Sequence, residues 1–169
     1  MATKKYLIVG GATGITQEST VDSSAGAGDS GKIPSLDTSG KLSTTMMPTG
    51  FGADALTLTA GENLSAGDLV YINASGEALK ADADSAAKAA VGFTLTSITA
   101  AASGTIYFGS GLITGLTSLT AGTQYFLSQT AGGITSTAPT GTNVIQQAVG
   151  YATSATTLYF EPQQPVLLI

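Results

Sequence analysis

The sequence predicts an all-β chain: an extended N-terminal arm and linker, followed by a β-sandwich or small β-barrel built from a duplicated β unit. Two observations carry this. The first is a repeated phrase. Ala90-Val91-Gly92-Phe93, closing in Thr105-Ile106-Tyr107-Phe108, returns as Ala148-Val149-Gly150-Tyr151, closing in Thr157-Leu158-Tyr159-Phe160. Upstream of each copy, Leu64-Ser65-Ala66-Gly67-Asp68-Leu69-Val70-Tyr71-Ile72 answers to Leu119-Thr120-Ala121-Gly122-Thr123-Gln124-Tyr125-Phe126-Leu127. A unit at about 64–108 therefore recurs at about 119–160, and two copies are too few for a solenoid, so they fold into one domain. The second observation is rhythm: short strand-like runs separated by Gly-rich turns at intervals of about ten residues indicate a sandwich or barrel. The chain divides into an N-terminal arm (1–15), a flexible linker (16–50) and the duplicated β domain (51–169).

Taken in order, Lys4-Lys5-Tyr6-Leu7-Ile8-Val9 has a strand composition. Gly10-Gly11-Ala12-Thr13-Gly14-Ile15 then resembles the opening of short-chain dehydrogenases, where glycines let a helix N-terminus approach a pyrophosphate. The departures outweigh the likeness. The family's last glycine is Thr16 here, the threonine before its first glycine is Val9, and no Tyr is followed four residues later by Lys. Residues 16–30 show no 3.6-residue apolar period that would make a helix, so a turn is the reading. Residues 16–31 carry too few bulky apolar side chains to offset the cost of ordering them, and they read as linker unless a partner holds them. Gly31 to Leu42 reads as extended chain with Pro34 and a tight turn at Ser39-Gly40, running on to Met46-Met47-Pro48.

From Leu56 the pattern turns to strands. Leu56 to Thr59 alternates, Gly67 to Asn73 is a strand, and Ala78 to Ala81 returns as its hairpin partner across Ala74-Ser75-Gly76. Asp82 to Lys88 makes one short helical turn capped by Asp82 or Asp84. Strands are expected at Ala90–Thr96, Gly104–Phe108, Leu112–Thr114, Gln124–Ser128, Ile134–Ser136, Val144–Ala152 and Thr156–Phe160. Gly92 and Gly150 are expected where strands bend or approach closely, with Phe108 and Phe160 closing each half's core. The tail ending Val166-Leu167-Leu168-Ile169 docks on a neighbouring subunit or returns to its own core.

Charge is sparse and uneven. Charged residues are 10% of the chain, well below the usual quarter, and the formal net charge is −5. All six basic residues are Lys, and not one residue between Ala89 and Phe160 is charged. Without Arg or clustered cations the chain is poorly suited to phosphate backbones, so no nucleic-acid partner is expected. No apolar run of about twenty residues exists, so no membrane-spanning helix is expected, and the apolar run after Lys4 and Lys5 is too short for a signal-peptide core. A long uncharged β segment invites edge pairing unless other subunits cover it.

The residues available for chemistry are few. With no Cys or His, disulfides, thiolate metal sites and the Ser-His-Asp and Cys-His schemes are excluded. Asp68, Glu77, Asp82 and Asp84 are the candidate acid–base carboxylates, but they fall in or beside turns where acids are ordinarily solvated. Asp82-Ala83-Asp84-Ser85 begins like a calcium loop, yet Ala87 and Phe93 stand where Gly and Glu are required. No catalytic, metal or cofactor site is expected. Five of the six tyrosines fall within the repeated phrases, which favours packing over a sugar-stacking platform.

Gly31-Lys32-Ile33-Pro34-Ser35-Leu36-Asp37-Thr38-Ser39-Gly40-Lys41-Leu42 resembles the shaft-to-head linkers of tailed-phage fibre and head-decoration proteins, with Met47-Pro48 at the closing apolar-Pro step. Downstream, Ala66-Gly67-Asp68, Gly104-Thr105-Ile106, Gly122-Thr123-Gln124-Tyr125-Phe126-Leu127-Ser128, Gly132-Gly133-Ile134-Thr135 and the two Ala-Val-Gly phrases resemble the β domain of small structural proteins of tailed phages. The resemblance implies a non-enzymatic virion protein: a homotrimer on the outer surface of the capsid, contacting the major capsid protein or other virion proteins. In that reading Lys4, Lys5, Tyr6, Leu7, Ile8 and Val9 anchor the arm, by strand addition and by meeting acidic neighbours. Lys32, Ile33, Leu36, Lys41, Leu42 and Met47 carry the threefold contact. The alternatives are a tail fibre or spike that binds a host-surface glycan, and a secreted carbohydrate-binding module.

Overall fold

The structure, a computed structural model, describes residues 5–9, 14–38, 40–47 and 54–169. Lys4, residues 10–13 of the glycine turn, Ser39 and Pro48 lie outside the described residues. The chain forms two compact units, Met1–Gly52 and Ala53–Ile169. The protein is all-β, with antiparallel sheets, no closed barrel and no helix longer than a single turn among the described residues. Of the two architectures the sequence allows, it adopts the sandwich.

In the first unit, β1 (Lys5–Val9) pairs antiparallel with β2 (Ile15–Ser19), with Lys5 opposite Ser19 and Val9 opposite Ile15. The strand at 15–19 differs from the linker expected there. Its polar residues earn their place through the ladder with β1, not through burial, since every side chain of β2 is exposed. Beyond β2 the chain returns so that Val21 bridges Pro34, within the run expected to be extended. The Val21 N–H donates to the Ile33 carbonyl (3.1 Å), the Ser35 N–H donates to the Val21 carbonyl (2.7 Å), and Thr44–Met46 makes a single 3-10 turn.

The second unit contains β3 (Ala55–Thr59), β4 (Leu69–Ile72), β5 (Ala78–Lys80), β6 (Gly92–Phe93), β7 (Ser103–Phe108), β8 (Gly111–Thr114), β9 (Gln124–Leu127), β10 (Ile134–Thr135), β11 (Ile145–Gln146), β12 (Ala148–Ala152), β13 (Thr157–Phe160) and β14 (Val166–Leu167). Two five-stranded sheets run β3-β7-β6-β4-β5 and β8-β13-β12-β9-β10. These are the same order on successive fifths of the repeat. Registers agree residue for residue. Gly92 opposes Phe108 and Val70, as Gly150 opposes Phe160 and Tyr125. Phe93 opposes Tyr107, as Tyr151 opposes Tyr159, and Leu56 opposes Ile106, as Ile113 opposes Leu158. The repeat is thus longer than the shared phrases show, because β3 and β8 open the two copies without detectable likeness in sequence.

Both repeat glycines are required by close approach. A Cβ on Gly92 would stand 2.5 Å from the Tyr107 carbonyl oxygen, and one on Gly150 would run into the Tyr159 carbonyl. Gly150 also has φ 140°, where a β-bulge shifts the β12–β9 register.

The sheets do not pack by equivalent faces. Leu69 and Phe93 from the first sheet, with half-buried Tyr71 and Tyr107, share the main core with Ile113, Leu127, Leu158 and Phe160 from the second. The Phe93 and Phe160 rings meet edge to face at 5.2 Å between centroids. The other face of the first sheet (Val70, Ile106, Ala78, with half-buried Ile72 and Phe108) is closed by Ala60, Leu64 and Ile98. Leu64 and Ile98 exchange two backbone hydrogen bonds of 2.9 Å. Ile98 lies in the long β6–β7 connection, residues 94–102. The equivalent β12–β13 connection is only residues 153–156, which leaves the corresponding face of the second sheet open to receive Phe93. The expected strand at Ala90–Thr96 shrinks to Gly92–Phe93 for the same reason, as Thr94 turns the chain out into that connection with its hydroxyl on the Thr96 carbonyl (2.8 Å).

Buried polar groups tie the repeats together. The Gln147 side chain accepts from the Ala90 N–H (2.8 Å) and donates to the Ala90 and Gln163 carbonyls (2.9 and 3.0 Å). The tail returns to its own unit: β14 pairs with β11, placing Val166 opposite Gln146 and Leu167 opposite Ile145, although Val166, Leu167 and Ile169 keep exposed side chains.

Candidate functional site

Of the four candidate carboxylates, Asp82 is buried and Asp68 and Glu77 are half-buried, whereas Asp84 is exposed as the sequence suggests. Asp68 accepts from the Ser65 N–H (2.8 Å) and meets the Lys80 ammonium at 3.2 Å. Glu77 accepts from the Asn73 amide (2.8 Å) inside a tight hairpin turn. Asp82 is buried, accepts from the Asp84 N–H (3.1 Å) and pairs with Lys88 at 2.7 Å. That hydrogen bond and the Asp82 charge raise the Lys88 pKa above its ordinary 10.5. Asp84 accepts from the Gln129 amide (3.0 Å). The expected cap by Asp82 or Asp84 falls instead to Ser85, whose hydroxyl accepts from the Ala87 N–H (3.3 Å) at the start of the 3-10 turn Ala86–Lys88, because the Asp82 carboxylate is already held by Lys88. Each of these acids has a local partner that holds it in place. Among the described residues no group of three or more His, Cys, Asp or Glu is placed to hold a metal, and no helix is long and apolar enough to cross a membrane. A groove of about 360 Å³ beside β10 is lined by Ser128, Gln129, Thr130, Thr135, Thr137 and Pro139 and carries no charged group.

The residues expected to anchor the arm lie on the β1–β2 ribbon. The Lys5 ammonium donates to the Gln17 side-chain oxygen (3.3 Å), Tyr6 is half-buried opposite Glu18, and Leu7 is exposed opposite Gln17. Ile8 and Val9 pair with Thr16 and Ile15. Lys4 lies outside the described residues. β1 thus already has a partner on one edge within its own chain.

The expected threefold residues lie in the irregular part of the first unit. Lys32 meets Asp29 at 2.9 Å. The Asp29 pKa falls below its ordinary value because its carboxylate accepts from the Ala25 N–H (2.6 Å) and then from Lys32, which is itself raised by the same bond. The Lys41 N–H donates to the Asp37 carboxylate (2.9 Å), and the Gly40 N–H donates to the Asp37 carbonyl (3.1 Å), closing a tight turn. Ile33, Leu36, Leu42 and Met47 are exposed, with Leu36 at 53%. Among the described side chains of residues 5–47 none is buried, so Leu7, Ile15, Ile33, Leu36, Leu42 and Met47 form an apolar set with no core of their own.

A second surface escaped the sequence reading. In the second sheet Leu112, Tyr159, Tyr151 and Gln124 stand opposite one another on four adjacent strands. Leu112 and Tyr151 are 52% and 45% exposed, and the Tyr151 and Tyr159 rings lie 5.4 Å apart. The packing expected of the repeated tyrosines holds for Tyr107, stacked on Phe93 at 5.5 Å, and for buried Tyr125, whose hydroxyl accepts from the Thr120 N–H (3.0 Å). It does not hold for Tyr151. The available signal was the unequal length of the connections 94–102 and 153–156, which decides the face each copy buries.

A comparison with protein-family models finds no match, and a comparison with curated protein sequences finds none either.

Proposed function

We propose that this chain is a non-enzymatic virion structural protein that decorates or projects from a phage capsid as a trimer, attached through its N-terminal unit. One observation carries the reading: the first unit exposes six large apolar side chains on a fold without a buried residue among those described. Such a segment gains its ordering free energy from a partner. The β1–β2 ribbon is the attachment element. It offers a capsid protein a strand edge together with Lys5 and exposed Leu7 and Ile15. Ile33, Leu36, Leu42 and Met47 make the threefold contact with two further copies, with Lys32 and Lys41 holding the local turns.

The test is attachment to empty heads. A chain lacking residues 2–15 should lose attachment while its circular dichroism keeps the β signature of the second unit. Full attachment of the truncated chain would end the assignment. A second reading, a tail spike or secreted module that binds a glycan, is favoured by exposed Tyr151 beside half-buried Tyr159, because aromatic faces stack on sugars.

A further inference from the structure

The two repeats stack front to back. Residue for residue, Ala55, Tyr107, Phe93 and Leu69 of the first sheet correspond to Leu112, Tyr159, Tyr151 and Gln124 of the second. In the first repeat Phe93 and Leu69 of that row are buried against the second repeat, with Tyr107 packed beside them. In the second repeat Leu112, Tyr151 and Gln124 of that row are exposed and Tyr159 is half-buried.

We infer that the outward face of the second sheet, centred on Leu112, Tyr159 and Tyr151, is a self-association surface covered by a second copy of this chain. The equivalent face of the first repeat is covered, there by the opposite face of the second sheet, so this row of positions is one that the fold buries where a partner surface is at hand. Stacked repeats stay soluble when each terminal face is capped. The first repeat's outer face is closed by Ala60, Leu64 and Ile98, and the second repeat's has no such cap. Charge points to a like partner as well. None of the five strands of this sheet contains a charged residue, so the face meets its own copy without like-charge repulsion and offers a charged foreign surface no counter-charge. The cap on the first repeat also denies head-to-tail growth an acceptor. The contact therefore joins like faces and closes instead of extending into a fibre.

The face shares no residue with the arm or the linker, so its test separates from theirs. Light scattering over a dilution series on the full chain reads the association. The double variant Leu112→Lys, Tyr151→Lys changes two exposed side chains, and it should weaken one association step by more than about tenfold while the dilute monomer keeps its β circular dichroism and a cooperative unfolding transition. The double variant Leu36→Asp, Leu42→Asp should leave that step in place. If only the linker variant lowers the mass, the inference falls and the threefold linker stands. If only the face variant lowers it, the linker assignment falls and the inference stands. Because the chain has no cysteine, cross-linking gives a second measurement. A bifunctional thiol reagent should join Thr114→Cys chains, at the edge of this face, and should not join Ser75→Cys chains, in the β4–β5 turn. Absence of the Thr114 product would overturn the proposal, as would glycan-array binding by the full chain that Tyr151→Ala abolishes.

Discussion

Gln147 is a side chain on which distant segments converge. It is buried, and its amide satisfies the Ala90 N–H and carbonyl from the first repeat and the Gln163 carbonyl from the tail. A buried backbone group that loses its partner costs about 1–3 kcal/mol. Gln147→Leu keeps the volume and removes both partner atoms, so the loss should be about 2–4 kcal/mol, read as a lowered denaturant midpoint at unchanged m-value. A loss under about 0.5 kcal/mol would mean that water replaces the amide and the repeats are not coupled there. Nothing in the sequence marked this residue, because a Gln between two strand segments looks like any solvent-facing amide. The glycines were different. Gly92 and Gly150 recur inside otherwise apolar strands, where Gly costs stability unless space demands it, and the Tyr107 and Tyr159 carbonyls supply that demand.

At the level of strands, equivalent positions in the repeats have opposite surroundings, and this yields a paired prediction. Phe93 is 2% exposed and touches Phe160, whereas its counterpart Tyr151 is 45% exposed. Phe93→Ala should cost about 3–5 kcal/mol. In a dilute monomer Tyr151→Ala should cost no more than about 1 kcal/mol, since only a cross-strand aromatic pair with Tyr159 is lost. Chemical denaturation of the two variants side by side measures the difference, and equal costs would contradict front-to-back stacking. Strand positions in the second unit were largely legible, because alternation and Gly-rich turns act locally. The face each strand buries was not. Leu158-Tyr159-Phe160 is apolar at every position, so period two cannot tell inside from outside, and the decision lies in the reach of residues 94–102 and the placement of Ile98. β2 was missed because Thr16-Gln17-Glu18-Ser19 has no apolar face, and only its register with β1 makes it a strand. β14 was open between two destinations for a related reason: its side chains stay exposed while its backbone pairs with β11.

For the molecule as a whole, the two units differ in what can hold them. Ordering a residue costs about 1–2 kcal/mol of backbone entropy, and a hydrogen bond returns a net of about 0.5–1.5 kcal/mol. With no fully buried apolar side chain among its described residues, the first unit therefore balances near zero, whereas the second has two contiguous cores. Hydrogen exchange should expose this inequality. In dilute full-length chain, the amides of Lys5–Val9, Ile15–Ser19, Val21 and Ser35 should exchange at nearly unprotected rates, while those of Leu69, Leu127 and Ile145 exchange only through global opening. Once the protein is bound to particles, the first group should gain protection and the second should change little. Strong protection of β1 and β2 in the dilute chain would show that the ribbon is self-sufficient and would remove the physical reason for assigning it to a partner. Protection that appears with self-association but not with particles would place the partner among other copies of the chain. Protection that appears only on particles would place it in the shell, and there the exposed Leu7 and Ile15 become the residues to substitute first.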